Sequence, residues 1–140
     1  MSETNYYPMF EPFPRLEYID GILWRLAGKL IYRRSPMWYY EVPDGFITDF
    51  ASIPWLARWL VGSPAGEGPG KQYAWPAVLH DDNTRHHHLS FRSGNGLFHE
   101  AMGICDVDPW RREVMYWAVG TRWGRAAYDD GFNRQRRMKR

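Results

Sequence analysis

All five histidines of the chain, His80, His86, His87, His88 and His99, fall within twenty consecutive positions, and the first is followed directly by Asp81. An imidazole beside a carboxylate is the raw material of general-base chemistry or of a metal site. Neighbours on a helix diverge by about 100° around its axis, so His80 and Asp81 face one point only where their helix runs along the rim of a cleft. Upstream, Asp49 and Ser52 add a second carboxylate and a hydroxyl. With His80 as general base, Ser52 as nucleophile and the two carboxylates orienting the base or holding a metal, these four residues sketch a small hydrolase site. Two readings stay open beside it. Ser52 lacks the G-x-S-x-G elbow that exposes a hydrolase serine and serves equally well as a helix cap. His80 could be a buried histidine with a satisfied hydrogen bond, leaving Asp81 to face water.

As metal ligands, His80, Asp81 and His99, with Asp49 in reach, supply nitrogen and oxygen donors that suit a divalent ion such as zinc, manganese or iron, although no HExxH-type spacing is present. Residues His86 to His88 are successive, and successive loop residues point apart, so one of the three at most is expected to join a site. Cys105 has no basic neighbour in sequence and lies on an apolar helix face, which favours inert burial over nucleophilic catalysis. The stretch GSPAGEGPGKQ over 62–72 is a flexible or ligand-wrapping loop, but Gln72 stands where a phosphate-binding P-loop needs Ser or Thr.

The elements that must position these groups change character along the chain. Trp24, Leu26, Leu30 and Tyr32 sit at even spacings, as on a half-buried strand, with Gly28 at a bend or bulge and Pro43, Asp44 and Gly45 forming a turn. From Thr48, TDFASIPWLARWLVG offers Asp49 or Ser52 as a cap, then Pro54, then apolar residues at helical spacing. A second helix begins at Trp75 and ends near 83–85, and a third runs from about Asn95 to Ile104. A fourth starts where Asp108 precedes Pro109, an N-cap with proline at the first helical position, and closes near Gly120. Strands first and helices afterwards give an α+β fold, a small N-terminal antiparallel sheet followed by about four helices.

At 140 residues, with 44% hydrophobic and 24% charged residues and a mean hydropathy of −0.59, the chain reads as one globular domain over 1–133 with a basic tail over 134–140. That tail carries Arg134, Arg136, Arg137, Lys139 and Arg140, and setting it aside leaves 13 basic against 16 acidic residues. Nucleic acid is therefore a partner only through the tail, since a nucleic-acid enzyme spreads its basic residues over the folded body. One cysteine closes no intramolecular disulfide, and no run is apolar enough to span a membrane or to serve as a secretory signal, which places the chain in a cytoplasm. Aromatic residues make up 17% of the chain, enough for a dense core with rings left over for a flat ligand, a partner protein or a second copy in a homo-oligomer.

The string VPDGFITDFASIP, followed by PAVLHD and then by LFHEAMGICDVDPWRREVMYWAV, resembles the domain-of-unknown-function family 1353 of tailed phages, prophages and bacteria, over roughly residues 22–120. The resemblance implies a phage setting, in the cytoplasm of the bacterial host or incorporated into a virion, and brings no assigned reaction. It draws attention to Thr48, Asp49, Ser52, His80 and Asp81 as the polar positions of the family's pattern. Arg85 is kept as well, and with Thr48 and Asn95 it makes a candidate ligand-binding set. Two positions depart from that pattern: Thr84 stands where the stretch after HD usually has tyrosine, and Asn95 where the third helix usually carries aspartate. Three functions remain open. The chain could be a small hydrolase with or without a metal, a non-enzymatic phage protein that binds a small ligand or host factor through rings and arginines, or a virion or tail assembly component.

Overall fold

The structure, a computed structural model, describes residues 6–21, 23–49 and 73–131. Its contacts divide the chain into two compact units, Met1–Ile47 and Thr48–Arg140. The first unit carries the strands and the second the described helices, so the fold is α+β.

Strands β1 (Met9–Phe10), β4 (Leu30–Arg33) and β5 (Tyr39–Val42) form one antiparallel sheet in the order β1-β4-β5, and β2 (Arg15–Asp20), β3 (Leu23–Ala27) and β6 (Ile47–Thr48) form a second in the order β2-β3-β6. The apolar alternation of 24–32 is expected to be one bent strand, and it is divided instead. Gly28 adopts φ +110°, a conformation open to glycine, and sends the residues on either side of it to different sheets. Its amide is held by Asp44 Oδ1 at 2.8 Å. Leu30 opposes Val42 and Tyr32 opposes Tyr40, and all four are buried together with Leu26 and Phe46. The turn at 43–46 forms as its residues dictate: Phe46 N–H donates to the Pro43 carbonyl at 3.3 Å, with Gly45 at φ +87° in the position that requires it.

In the second unit, α1 (Ala74–His86), α2 (Phe91–Ile104), α3 (Pro109–Val119) and α4 (Arg122–Asp129) pack around Val78, Leu79, Leu97, Phe98, Met102 and Met115. Helix α2 begins four residues before the expected Asn95, because the Ser90 hydroxyl accepts from Ser93 N–H at 3.1 Å and caps an earlier first turn. Helix α3 starts at Pro109 as expected, but Asp108 makes no side-chain cap; its carboxylate pairs with Arg111 one turn on. Helix α4 is an addition to the expected set. Its Gly124 lies so close to the end of α3 that a Cβ there would come within 2.0 Å of the Val119 carbonyl oxygen. The helix expected from Thr48 onward, with Ser52, the glycine-rich loop of 62–72 and the basic tail of 134–140 lie outside the described residues.

Gly124→Ala is expected to force α3 and α4 apart and cost about 1–3 kcal/mol, the usual range for overpacking, read as a lowered urea midpoint at unchanged slope.

Candidate functional site

Helix α1 is buried almost all round, and its second half is polar: His80, Asp81, Asp82, Asn83, Thr84 and Arg85 are each no more than 3% exposed. A polar segment survives in that position only if every group finds a partner. The partners lie on three sides of the helix and sort these residues by role.

Asp81 and Arg85 lie one turn apart and form an ion pair, with Arg85 Nη2 2.8 Å from Asp81 Oδ2. The same nitrogen stands 3.1 Å from Asp49 Oδ1, and the Thr48 hydroxyl donates to Asp81 Oδ2 at 2.5 Å. Thr48, Asp49, Asp81 and Arg85 are thus brought together, in a grouping that cuts across the expected catalytic and ligand sets, as a charge cluster whose guanidinium is wholly buried. Thr84 is buried as well and turns its hydroxyl back to the Asp81 carbonyl at 2.7 Å.

His80 faces another way. Its ring lies against Phe98 with centroids 4.9 Å apart, and its Nε2 is 2.9 Å from Asn95 Oδ1. Asn95 Nδ2 donates to the Val119 carbonyl at 3.2 Å, which fixes the amide's orientation and makes His80 Nε2 the donor in the first bond. That nitrogen is therefore protonated and not placed to act as a base. Asparagine at 95 suits this chain of bonds, since an ionised aspartate there would have no hydrogen to give Val119. His99, expected beside His80 and Asp81 as a metal ligand, bonds through Nε2 to Glu113 Oε1 at 2.8 Å and packs on Tyr116. His80, Asp81 and His99 each face a different partner.

The group whose donors do approach one another is Asp82, His86 and His88, with one ligand atom from each lying within 4.8 Å of the others. Successive histidines were expected to diverge; here the alternate pair converges. His87, between them, takes the left-handed conformation with φ 54°, stacks on Tyr128 at 3.8 Å and donates from Nε2 to the Tyr128 carbonyl at 2.6 Å. That kink ends α1 and turns His88 back toward Asp82. Asn83 supports the turn by accepting from Leu89 N–H through its side chain at 2.7 Å and from His87 N–H through its carbonyl at 2.8 Å. The hydrogen bond that His86 donates to Asp82 holds the imidazole above its ordinary pKa, against the opposing effects of burial and of Arg85.

Beyond Asn95 a groove of about 940 Å³ opens between α2, α3 and the start of α4. Phe91, Tyr116 and Trp117 supply rings to it, and Arg92, Arg125 and Glu113 supply charges. Trp117 is 64% exposed. Arg125 lies over the Phe91 ring at 4.9 Å and pairs with Asp129 at 3.2 Å. Sequence reasoning placed Asn95 in a ligand set but missed the rings and arginines around it; the exposed tryptophan and tyrosine at 116–117, on a helix with a buried opposite face, were the available signal. Cys105 is half-buried, and burial first, then Asp106, pushes its thiol up to about 12.

These features define an α+β protein built around a polar helix with an internal ion pair. The chain belongs to the family described as "Protein of unknown function (DUF1353)", whose model matches residues 24–119. No curated protein and no solved structure matches it. No described helix is long and apolar enough to cross a membrane.

Two outcomes are expected. Asp81→Asn and Arg85→Met should each destabilise the protein by about 3–5 kcal/mol, the cost of stranding one member of a buried pair. A double-mutant cycle should show the two losses to be far from additive. Cys105 has a raised pKa in the folded state, so unfolding is favoured once the unfolded thiol begins to ionise. Its contribution should be level below pH 9 and turn increasingly destabilising between 9 and about 12. Alkylation by iodoacetamide at pH 8 should be slow in the native protein and fast in urea.

Proposed function

We propose that this chain is a non-catalytic accessory protein of a phage or prophage, acting in the host cytoplasm, that binds and sequesters an aromatic anion of the nucleotide class. The observation that carries this reading is the groove beside Asn95, which combines an exposed indole with two arginines. A planar base can stack on Trp117 or Tyr116, a contact worth about 1–3 kcal/mol per base in proteins that bind single-stranded nucleic acids. Arg92 and Arg125 offer cations for its phosphate, Arg125 by exchanging its pair with Asp129, and among the described lining residues the acidic side chain is Glu113, already engaged by His99. The phage setting rests on the family resemblance alone.

Hydrolysis by Asp49, Ser52, His80 and Asp81 is the competing reading. It would need the second ring nitrogen of His80, a residue only 3% exposed, to reach solvent and a nucleophile, and Asp81 to leave Arg85, so binding is preferred. An assembly role would use the same exposed rings as subunit contacts.

Titration of the full-length protein with a panel of nucleoside mono- and diphosphates should quench tryptophan fluorescence at one site per chain. Trp117→Ala should weaken binding about five- to a hundredfold, corresponding to the loss of one stacking contact, and Arg92→Ala should weaken phosphorylated ligands more than the nucleoside. If no member of the panel binds, or if Trp117→Ala alters only the oligomeric state, the binding reading fails.

A further inference from the structure

We infer that Asp82, His86 and His88 form a binding site for a single divalent transition-metal ion of the zinc type, independent of the groove. One carboxylate and two imidazoles are the donor set that zinc favours, and three protein donors leave a fourth position for water or a ligand atom. The donors come from a short stretch of chain whose geometry is set by other contacts. Asp82 has no exposed side-chain surface and projects from the last full turn of α1. His86 follows one turn later on the same helix face, with Nδ1 2.9 Å from Asp82 Oδ1. His88 arrives from the opposite side of the left-handed turn at His87, with Nε2 3.8 Å from Asp82 Oδ2.

The spacings suit an ion. Metal–ligand bonds of about 2.0–2.2 Å in a tetrahedron set the donors roughly 3.4 Å apart, and here they lie within 4.8 Å of one another, so a small closing movement brings them to bonding distance of one ion. The rings of His86 and His88 already lie side by side, with centroids 5.6 Å apart and planes 30° from parallel. An ion between them would take the place of the hydrogen that His86 now shares with Asp82 and would bring cationic charge to a fully buried carboxylate. The open side faces solvent, because the His88 side chain is 57% exposed, which gives the ion a route in. His87 is excluded by the same turn that brings its neighbours together, since its ring is committed to Tyr128. That selectivity within a run of three histidines separates this site from the nonspecific affinity of a histidine tract.

The test is calorimetric titration of the untagged full-length chain with zinc chloride after dialysis against a chelator, followed by histidine-selective nuclear magnetic resonance. One ion per chain is expected. His86→Ala and His88→Ala should each weaken it at least about tenfold, the lower end of what even indirect damage to a metal site costs. His87→Asn, which tolerates the left-handed conformation but gives up the stack on Tyr128, should keep one ion per chain and weaken it less than His88→Ala does. In the wild-type spectrum, zinc should shift the ring signals of His86 and His88 while those of His80, His87 and His99 stay in place, a readout that needs no variant to fold. Weak binding of several ions, unaffected by His88→Ala, would mean adventitious binding only and overturn the inference. So would equal losses in His87→Asn and His88→Ala, or ring shifts at His99 in place of His86. None of these outcomes bears on nucleotide binding at Trp117, so the two proposals stand or fall separately.

Discussion

The buried guanidinium of Arg85 is the constraint on which the helical unit depends. A cation with no exposed surface is tolerable only beside opposite charge, and here two carboxylates meet one nitrogen: Asp81 from the preceding turn of the same helix and Asp49 from the segment that follows β6. Thr48 completes the set from the end of that strand. The arrangement ties residues more than thirty positions apart in the chain to one helix, and it does so through charge, which is intolerant of a change in register. An apolar contact at the same place could slide by a residue at modest cost. An ion pair that must stay buried cannot.

That constraint changes what the polar residues can do. A carboxylate held by an arginine and a threonine hydroxyl is kept in place, and Thr48, Asp49 and Asp81 are engaged with one another in this way. His80 is engaged too, by Asn95. The amide of Asn95 then has a double duty, accepting from α1 and donating to the last turn of α3, so the groove beside it is walled by helices whose spacing is fixed from within. A preformed wall of that kind lowers the cost of ordering a ligand. Polar residues in the interior and exposed rings on the surface are therefore linked: the first hold the helices from which the second project.

How much of this could be seen in the sequence depended on range. The turn at Pro43, Asp44 and Gly45 and the start of α3 at Asp108 and Pro109 rest on the dihedral preferences of single residues, and they were legible. So was the α+β order, which follows from the change of hydrophobic period after Thr48. The early start of α2 depended on Ser90 capping where several polar residues competed for the role. Helix α4 was obscured by Gly124, which as a helix interior residue argues against a helix until one sees that α3 leaves no room for a Cβ there. Thr48, Asp81 and Arg85 were each singled out, but their mutual bonding was not, because no local rule links a strand end to a helix 33 positions away. The convergence of His86 and His88 lay furthest out of reach: it depends on a left-handed histidine, held by a tyrosine 41 positions further along the chain.

The seven residues from His80 to His86 show how a helix can divide its labour. With about 100° between successive residues, His80 points to α2, Asp81 and Arg85 share the side toward Thr48 and Asp49, and Asp82 and His86 share the side toward His88. Each pair one turn apart is a polar couple, and each couple answers to a different part of the chain. A shift of one residue in the helix would break all three sets together, placing Asp82 against Thr48 and His86 where the arginine belongs. The register of α1 is thus fixed three times over. That redundancy is why so polar a helix can lie inside the protein without the alternative packings that an apolar helix of the same length would allow.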